Sequence, residues 1–213
     1  MSEPRMEGGS WLALGVQVSA GLCLAACCGL RAFLPPFLLG LAARLQIPEF
    51  LLGEPLLSPS FSWLASTPAL VVFGAAVVFE VLADKLPALD HLLDIVQTIV
   101  RPLAGAFVLA AALAPAKPVY AAAAGLISGA PLALAVHLGK AKIRLLSTLG
   151  TGGLGSPVLS VLEDVAAVSG SVLALVVAFL AVLAIVAGAF VTWRIVTGYI
   201  RRVGRLKADL RSP

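Results

Sequence analysis

The chain has 213 residues, of which 60% are hydrophobic and 12% charged, with mean hydropathy +1.04 and net charge +4. Soluble domains carry roughly 45–50% apolar and about 25% charged residues, so no soluble fold could hide this much apolar surface. No polar stretch is long enough to form a second globule, which excludes a separate soluble catalytic module.

Residues 1–10 form a short polar tail, and a single transmembrane domain is expected over residues 11–200, with possible halves 11–114 and 118–200. The first apolar run, residues 11–34, ends at Pro35-Pro36, where two prolines remove backbone donors and block a straight helix. It holds all three cysteines, Cys23, Cys27 and Cys28, and an odd set inside an apolar run is no disulfide framework. Leu24-Ala25-Ala26-Cys27 has the look of a lipoprotein cleavage box. Against that, Glu3 and Glu7 outweigh Arg5 in the leader, whereas a signal's first region is net positive.

A short apolar piece follows at residues 37–45. Residues 46–66 then carry Pro48, Gly53, Pro55, Pro59, Glu49 and Glu54, turn chemistry with acidic charge that reads as a non-cytoplasmic loop. Ser66-Thr67-Pro68 is a helix start, with a hydroxyl cap and proline in the first turn, for a helix through residue 86. Pro87 opens an amphipathic segment: Leu89, Leu92, Leu93, Val96, Ile99 and Val100 recur at helical spacing opposite Asp90, Asp94, Gln97 and Arg101. It enters an apolar helix, residues 103–114, across a kink at Pro102.

A short turn at residues 115–118 predicts antiparallel neighbours. The next apolar segment, residues 119–138, contains Pro131 and runs into Lys140, Lys142 and Arg144. Residues 147–156 read STLGTGGLGS, a glycine-rich loop, and Pro157 restarts a helix. The apolar stretch of residues 158–199 would extend about 60 Å at helical rise, too long for one crossing. A break near Gly170 or Ala178 is therefore expected. Arg194, Arg201, Arg202, Arg205, Lys207 and Arg211 face only Asp209, so residues 201–213 are a basic tail that the positive-inside rule places in the cytoplasm, against anionic lipid. Nucleic-acid binding would need aromatics among these basic residues, and only Tyr199 is there, so no nucleic-acid partner is expected.

Placing Arg5, Lys85, the 140–144 cluster and the tail on one side requires an even number of crossings, and about six segments satisfy it. The expected fold is an all-α polytopic bundle with Pro- and Gly-broken helices. Residues 87–94 and 157–164 share a proline, a leucine two residues on and an aspartate seven residues on, Asp94 and Asp164. If this echo marks a repeat of three segments, the halves have inverted topology, as in many transporters.

Gly29-Leu-Arg-Ala-Phe-Leu-Pro35, Ala83-Asp-Lys85, Gln97-Thr with Arg101-Pro102, His137-Leu-Gly-Lys140, and Thr151-Gly-Gly-Leu-Gly with Pro157 and Glu163-Asp164 occur in that order. Their combination resembles the domain-of-unknown-function 4126 family over residues 15–200. The resemblance implies a small polytopic protein of the bacterial inner membrane and brings no activity. It also implies alanine at the cysteine positions, which makes the lipoprotein box a coincidence of small residues.

Charged residues at membrane depth cost at least about 2.5–3.5 kcal/mol each on insertion scales, so each requires a partner or a wet cavity. Arg31, Glu80, Asp84, Lys85, Asp90, Asp94, Arg101, His137, Lys140, Glu163 and Asp164 all lie within or at the edge of apolar segments and are candidates for an ion or solute path. The bland alternative puts Asp84, Lys85 and Lys140 at the headgroups and leaves the others in structural ion pairs. The loop residues Thr151, Gly152, Gly153, Gly155 and Ser156, with Lys142 and Arg144 upstream, are candidates for anion binding at a helix start. Its alternative is an ordinary loop capped by Ser156 and Ser160, with Glu163 completing a capping box.

Enzyme chemistry finds less support. His91 and His137 are the only histidines, no Gly-x-Ser-x-Gly elbow accompanies the serines, and His91, Asp94, His137 and Asp164 lack metal-defining spacing. No cofactor is expected. The reading is a transporter or channel for a small ion or polar solute, with membrane lipids as partners and a homo-oligomer open. The rival is a non-transporting scaffold or lipid-headgroup-interacting protein whose charges only fix helix packing.

Overall fold

The computed structural model describes residues 8–46, 55–84, 87–114, 116–152, 155, 158–176, 193–194 and 197, without the side chains of residues 8–13, 87–95 and 151. The chain divides into two compact units, Met1–Phe179 and Leu180–Pro213. In the second, Thr197 Oγ1 donates to the Trp193 carbonyl at 2.8 Å, and the basic tail at 201–213 lies outside the described residues.

Every regular element of the first unit is helical among the described residues: α1 (Gly8–Cys28), α2 (Leu34–Arg44), a 3-10 helix (Pro59–Ala65), α3 (Thr67–Ala83), α4 (Pro87–Ala112), α5 (Pro118–Ala124), a π turn (Gly125–Gly129), α6 (Ala130–Thr151) and α7 (Val158–Val176). The described residues are all-helical, and their apolar helices are compatible with a membrane protein. Pro118–Gly150 and Val158–Val176 are each long and apolar enough to cross a bilayer, and the 3-10 helix with α3, bent by 67°, could form a third span. Among the described residues these are two or three candidate spans, and much of the expected last segment, residues 177–192, lies outside them. Val71, Val72, Val78 and Phe79 of α3 and Leu145, Leu146 and Leu149 of α6 point outward, while Arg31, Glu80, Arg101, His137 and Lys140 are buried. Apolar outside and charged inside is the arrangement lipid requires.

Several boundaries differ from the sequence reading. The first helix stops at Cys28, seven residues before the first proline. Pro35 and Pro36 instead occupy the first turn of α2, where a missing N–H costs nothing. Ser66 caps α3 as expected, its hydroxyl accepting from Ala69 N at 3.4 Å, and the helix ends at Ala83. The acidic loop is not wholly outside the packing: Leu56, Leu57 and Leu64 are buried, and Ser58 N donates to the Ala111 carbonyl of α4 at 2.8 Å. Phe61 meets Phe107 edge-on at 5.2 Å and Phe73 stacks on it at 6.2 Å. Residues 47–54 lie outside the description.

Pro102 sits within a continuous α4. Pro131 likewise does not break its segment, because the π turn lies just ahead of it. A proline ring collides with the carbonyl four residues back, here Ile127, and widening that turn makes room. The π turn also seats α5 and α6 against α4. A Cβ at Gly129 would meet the Gly105 backbone, and one at Gly125 the Ala106 backbone, so small residues allow the two helices to touch main chain to main chain. The expected break at Gly170 is absent, since α7 runs through it; Ala178 lies outside the description.

Gly129→Val should therefore force α4 and α6 apart and lower stability by about 1–3 kcal/mol, the usual cost of overpacking. Gly139→Ala, whose Cβ would meet nothing within 4 Å, should be neutral or slightly stabilising. Thermal unfolding of the detergent-solubilised variants checks both.

Candidate functional site

Between Cys28 and Leu34 the helical ladder is interrupted, and Gly29, Arg31 and Ala32 within this break are buried. Main-chain groups released in lipid must find partners inside the protein. They find charged ones. Arg101 Nη1 donates to the Gly29 carbonyl at 3.1 Å, and Lys140 Nζ to the Leu30 carbonyl at 3.4 Å. The Glu80 carboxylate accepts from Ala32 N at 2.9 Å and Phe33 N at 3.3 Å. Phe33, the N-cap of α2, offers no side-chain cap. A carboxylate from α3 thus serves as the anion at the N-terminus of α2, where backbone N–H groups favour negative charge.

Arg31 projects from the break with 1% of its side chain exposed and is bound on three sides. It pairs with Asp84 at 2.5 Å and with Asp164, and it donates to the Glu80 carbonyl and to Ser160 Oγ, each at 3.4 Å. Asp84, 2% exposed, also lies 3.4 Å from Arg144 and 3.8 Å from Lys140. Glu163 takes Lys140 at 2.8 Å and Arg144 at 3.1 Å. Arg101 lies 3.9 Å from Glu80, donates to Gln97 Oε1 within α4, and approaches His137 Nδ1 at 2.6 Å. Thr98 Oγ1 completes the group at 3.2 Å from His137 Nε2.

Helical periodicity aims these side chains together. His137, Lys140 and Arg144 share a face of α6 at spacings of three and four, Gln97 and Arg101 share one of α4, and Ser160, Glu163 and Asp164 lie on the α7 face that carries buried Ala167, Ser171 and Ala174. The cations Arg31, Arg101, Lys140 and Arg144 match the carboxylates Glu80, Asp84, Glu163 and Asp164 in number. Beside them, Leu30, Val136, Gly139, Ile143, Leu159, Leu162 and Ala166 line an open groove of about 350 Å³ that reaches the Lys140–Glu163 pair. No group of three or more His, Cys, Asp or Glu residues able to hold a metal occurs among the described residues.

The structure thus brings together Arg31, Glu80, Asp84, Arg101, His137, Lys140, Glu163 and Asp164 from the expected path, and adds Arg144 from the expected anion loop. Asp84 and Lys140, open to a headgroup reading, direct side chains only 2% and 3% exposed into the cluster. A family model described as domain of unknown function (DUF4126) matches residues 18–197. The chain belongs to this family. No curated protein and no solved structure matches it.

Elsewhere in this DUF4126 chain the expected sites fare differently. The glycine-rich loop is shorter than expected, because α6 continues to Thr151 and ends at Gly152, whose φ of +62° is the left-handed conformation of a helix C-cap. Within its last turns Thr148 Oγ1 donates back to the Arg144 carbonyl at 2.9 Å. Lys142 is exposed and Gly155 half-buried. Glu163 binds Arg144 and Lys140 rather than a capping-box amide. Lys85, Gly153 and Ser156 lie outside the described residues, as do the side chains of Asp90, Asp94 and Thr151. Sequence reasoning did not select Gln97, Thr98 or Ser160 for the site. Gln97 stands one helical turn before Arg101 and was legible as a polar residue on its face.

Asp84→Asn should be among the most damaging single substitutions, since it removes the carboxylate facing Arg31, Lys140 and Arg144. Breaking a buried pair costs about 3–5 kcal/mol. Adding Arg144→Gln should recover part of that loss by restoring neutrality, as read by unfolding in a denaturing detergent titration.

Proposed function

We propose that this protein is a multi-pass transporter or channel for a small ion or polar solute in the bacterial inner membrane. The proposal includes about six segments, a cytoplasmic C-terminus and an inverted relation between halves, which follow from the basic residues and the proline-aspartate echo. The observation that carries the functional reading is the convergence of a broken helix and ionisable side chains at one place. Interrupted helices with freed backbone groups beside ionisable residues are a recurrent way to build a solute site inside a membrane. A purely structural cluster would gain little, because well-packed apolar residues are often as stabilising as a buried ion network.

The pairing pattern favours movement as well. Asp84 stands within reach of three cations and Glu163 of two. A carboxylate that trades one cation for another never leaves a bare charge in low dielectric, so its barrier to rearrangement is lower than that of an isolated pair. In this reading the network is a closed gate. Arg31, Glu80, Asp84, Arg101, His137, Lys140, Glu163 and Asp164 line the path that opens when partners exchange.

Purified protein in proteoliposomes should pass a small ion, and Asp164→Asn should reduce flux at least several-fold while the protein remains folded and monodisperse. Glu80→Gln should reduce flux and stability together, because it also weakens the cap on α2. Absence of flux for protons, alkali cations and small anions in the wild type would overturn the proposal.

A further inference from the structure

We propose that the coupling ion of this site is the proton, and that it is taken up at His137 Nδ1 in exchange for Arg101. This rests on the transport reading for its purpose but not for its chemistry. An arginine guanidinium has only donors to offer and does not lose its proton in proteins. With Arg101 Nη1 at 2.6 Å, Nδ1 must present its lone pair. The ring is therefore neutral, with its proton on Nε2, donated to Thr98 Oγ1 at 3.2 Å. The tautomer follows from the partners.

Protonation of Nδ1 and its hydrogen bond with Arg101 exclude each other, since two N–H groups would then point at one another between two cations. The geometry supplies the alternative arrangement. Arg101 Nη1 also holds the Gly29 carbonyl at 3.1 Å, so its departure frees an acceptor beside Nδ1. Glu80 lies 3.9 Å from Arg101 Nη2 and attracts the guanidinium. In the step, a hydronium gives its proton to Nδ1, one N–H bond forms, water is released, and Arg101 keeps its proton while moving toward Glu80. Reversal returns the proton.

Among the described residues, the charged groups facing the imidazole are Arg101 from α4 and Lys140 from its own helix, with Glu80 of α3 reached through Arg101. Because the Glu80 carboxylate that receives Arg101 also caps α2 through Ala32 and Phe33, proton uptake pulls on the helix break itself. That links protonation to the gate.

The test is ¹⁵N NMR of histidine- and arginine-labelled full-length protein in nanodiscs, with His91→Gln used to assign the His137 ring. In the wild type His137 should be the Nε2–H tautomer near neutral pH. On acidification its protonation should coincide with a change in the Arg101 side-chain resonances. Arg101→Gln should uncouple the proton from the guanidinium, so that His137 protonates with no arginine side-chain transition beside it. Thr98→Val, which leaves Arg101 in place, should keep the two transitions coincident, and it serves if Arg101→Gln does not fold. An Nδ1–H tautomer, or protonation of His137 with Arg101 unmoved, would overturn the inference. Coincident transitions in a protein that shows no flux would uphold the exchange and refute transport alone.

Discussion

A peptide chain that leaves helical geometry inside a membrane protein must satisfy every backbone group it releases, because hydrocarbon offers neither donors nor acceptors. In this protein the release occurs at residues 29–33, between α1 and α2. Two carbonyls there take Arg101 and Lys140, and two amides take Glu80. Each of those charges then needs a counter-charge, which draws in Asp84, Arg31, Asp164, Glu163 and Arg144. The ionic cluster is the outward consequence of one helix break, and the helices around it are held in the places where its members can reach.

The surrounding packing serves the same end. Small residues let α4 meet the π turn at backbone distance, which places Arg101 beside both His137 and the Gly29 carbonyl. The π turn absorbs Pro131 and leaves α6 continuous, so that His137, Lys140 and Arg144 stay on one face. α7 contributes a narrow polar stripe, with Ser160, Glu163 and Asp164 at its N-terminal end and alanines and Ser171 further along. Replacing the cluster with apolar residues would not by itself cost stability. What the ionic version adds is a set of interchangeable partners, and interchange is the property a gate needs.

Much of this was legible in the residues. The membrane character followed from composition, the start of α3 from Ser66-Thr67-Pro68, and most of the cluster from the rule that charges in apolar segments are kept for a reason. The prolines at 35 and 36 were ambiguous in a physical sense, since proline both stops one helix and suits the first turn of the next, and nothing local says which. Residues 147–151 have loop composition but remain helical, and the chain leaves the helix only at Gly152, which takes the left-handed turn. Partner assignment was not legible at all. Arg31 and Asp164 are separated by most of the chain, and only the packing of α7 against the break brings them together.

The most direct test of this account is amide hydrogen exchange at Ala32 and Phe33 in lipid nanodiscs, with and without Glu80. Both amides should be protected in the wild type to a degree comparable with the interior of α2. Glu80→Ala should release them selectively, leaving α4 and α6 protected. Rapid exchange at these amides in the wild type, or protection unchanged by loss of the carboxylate, would contradict it.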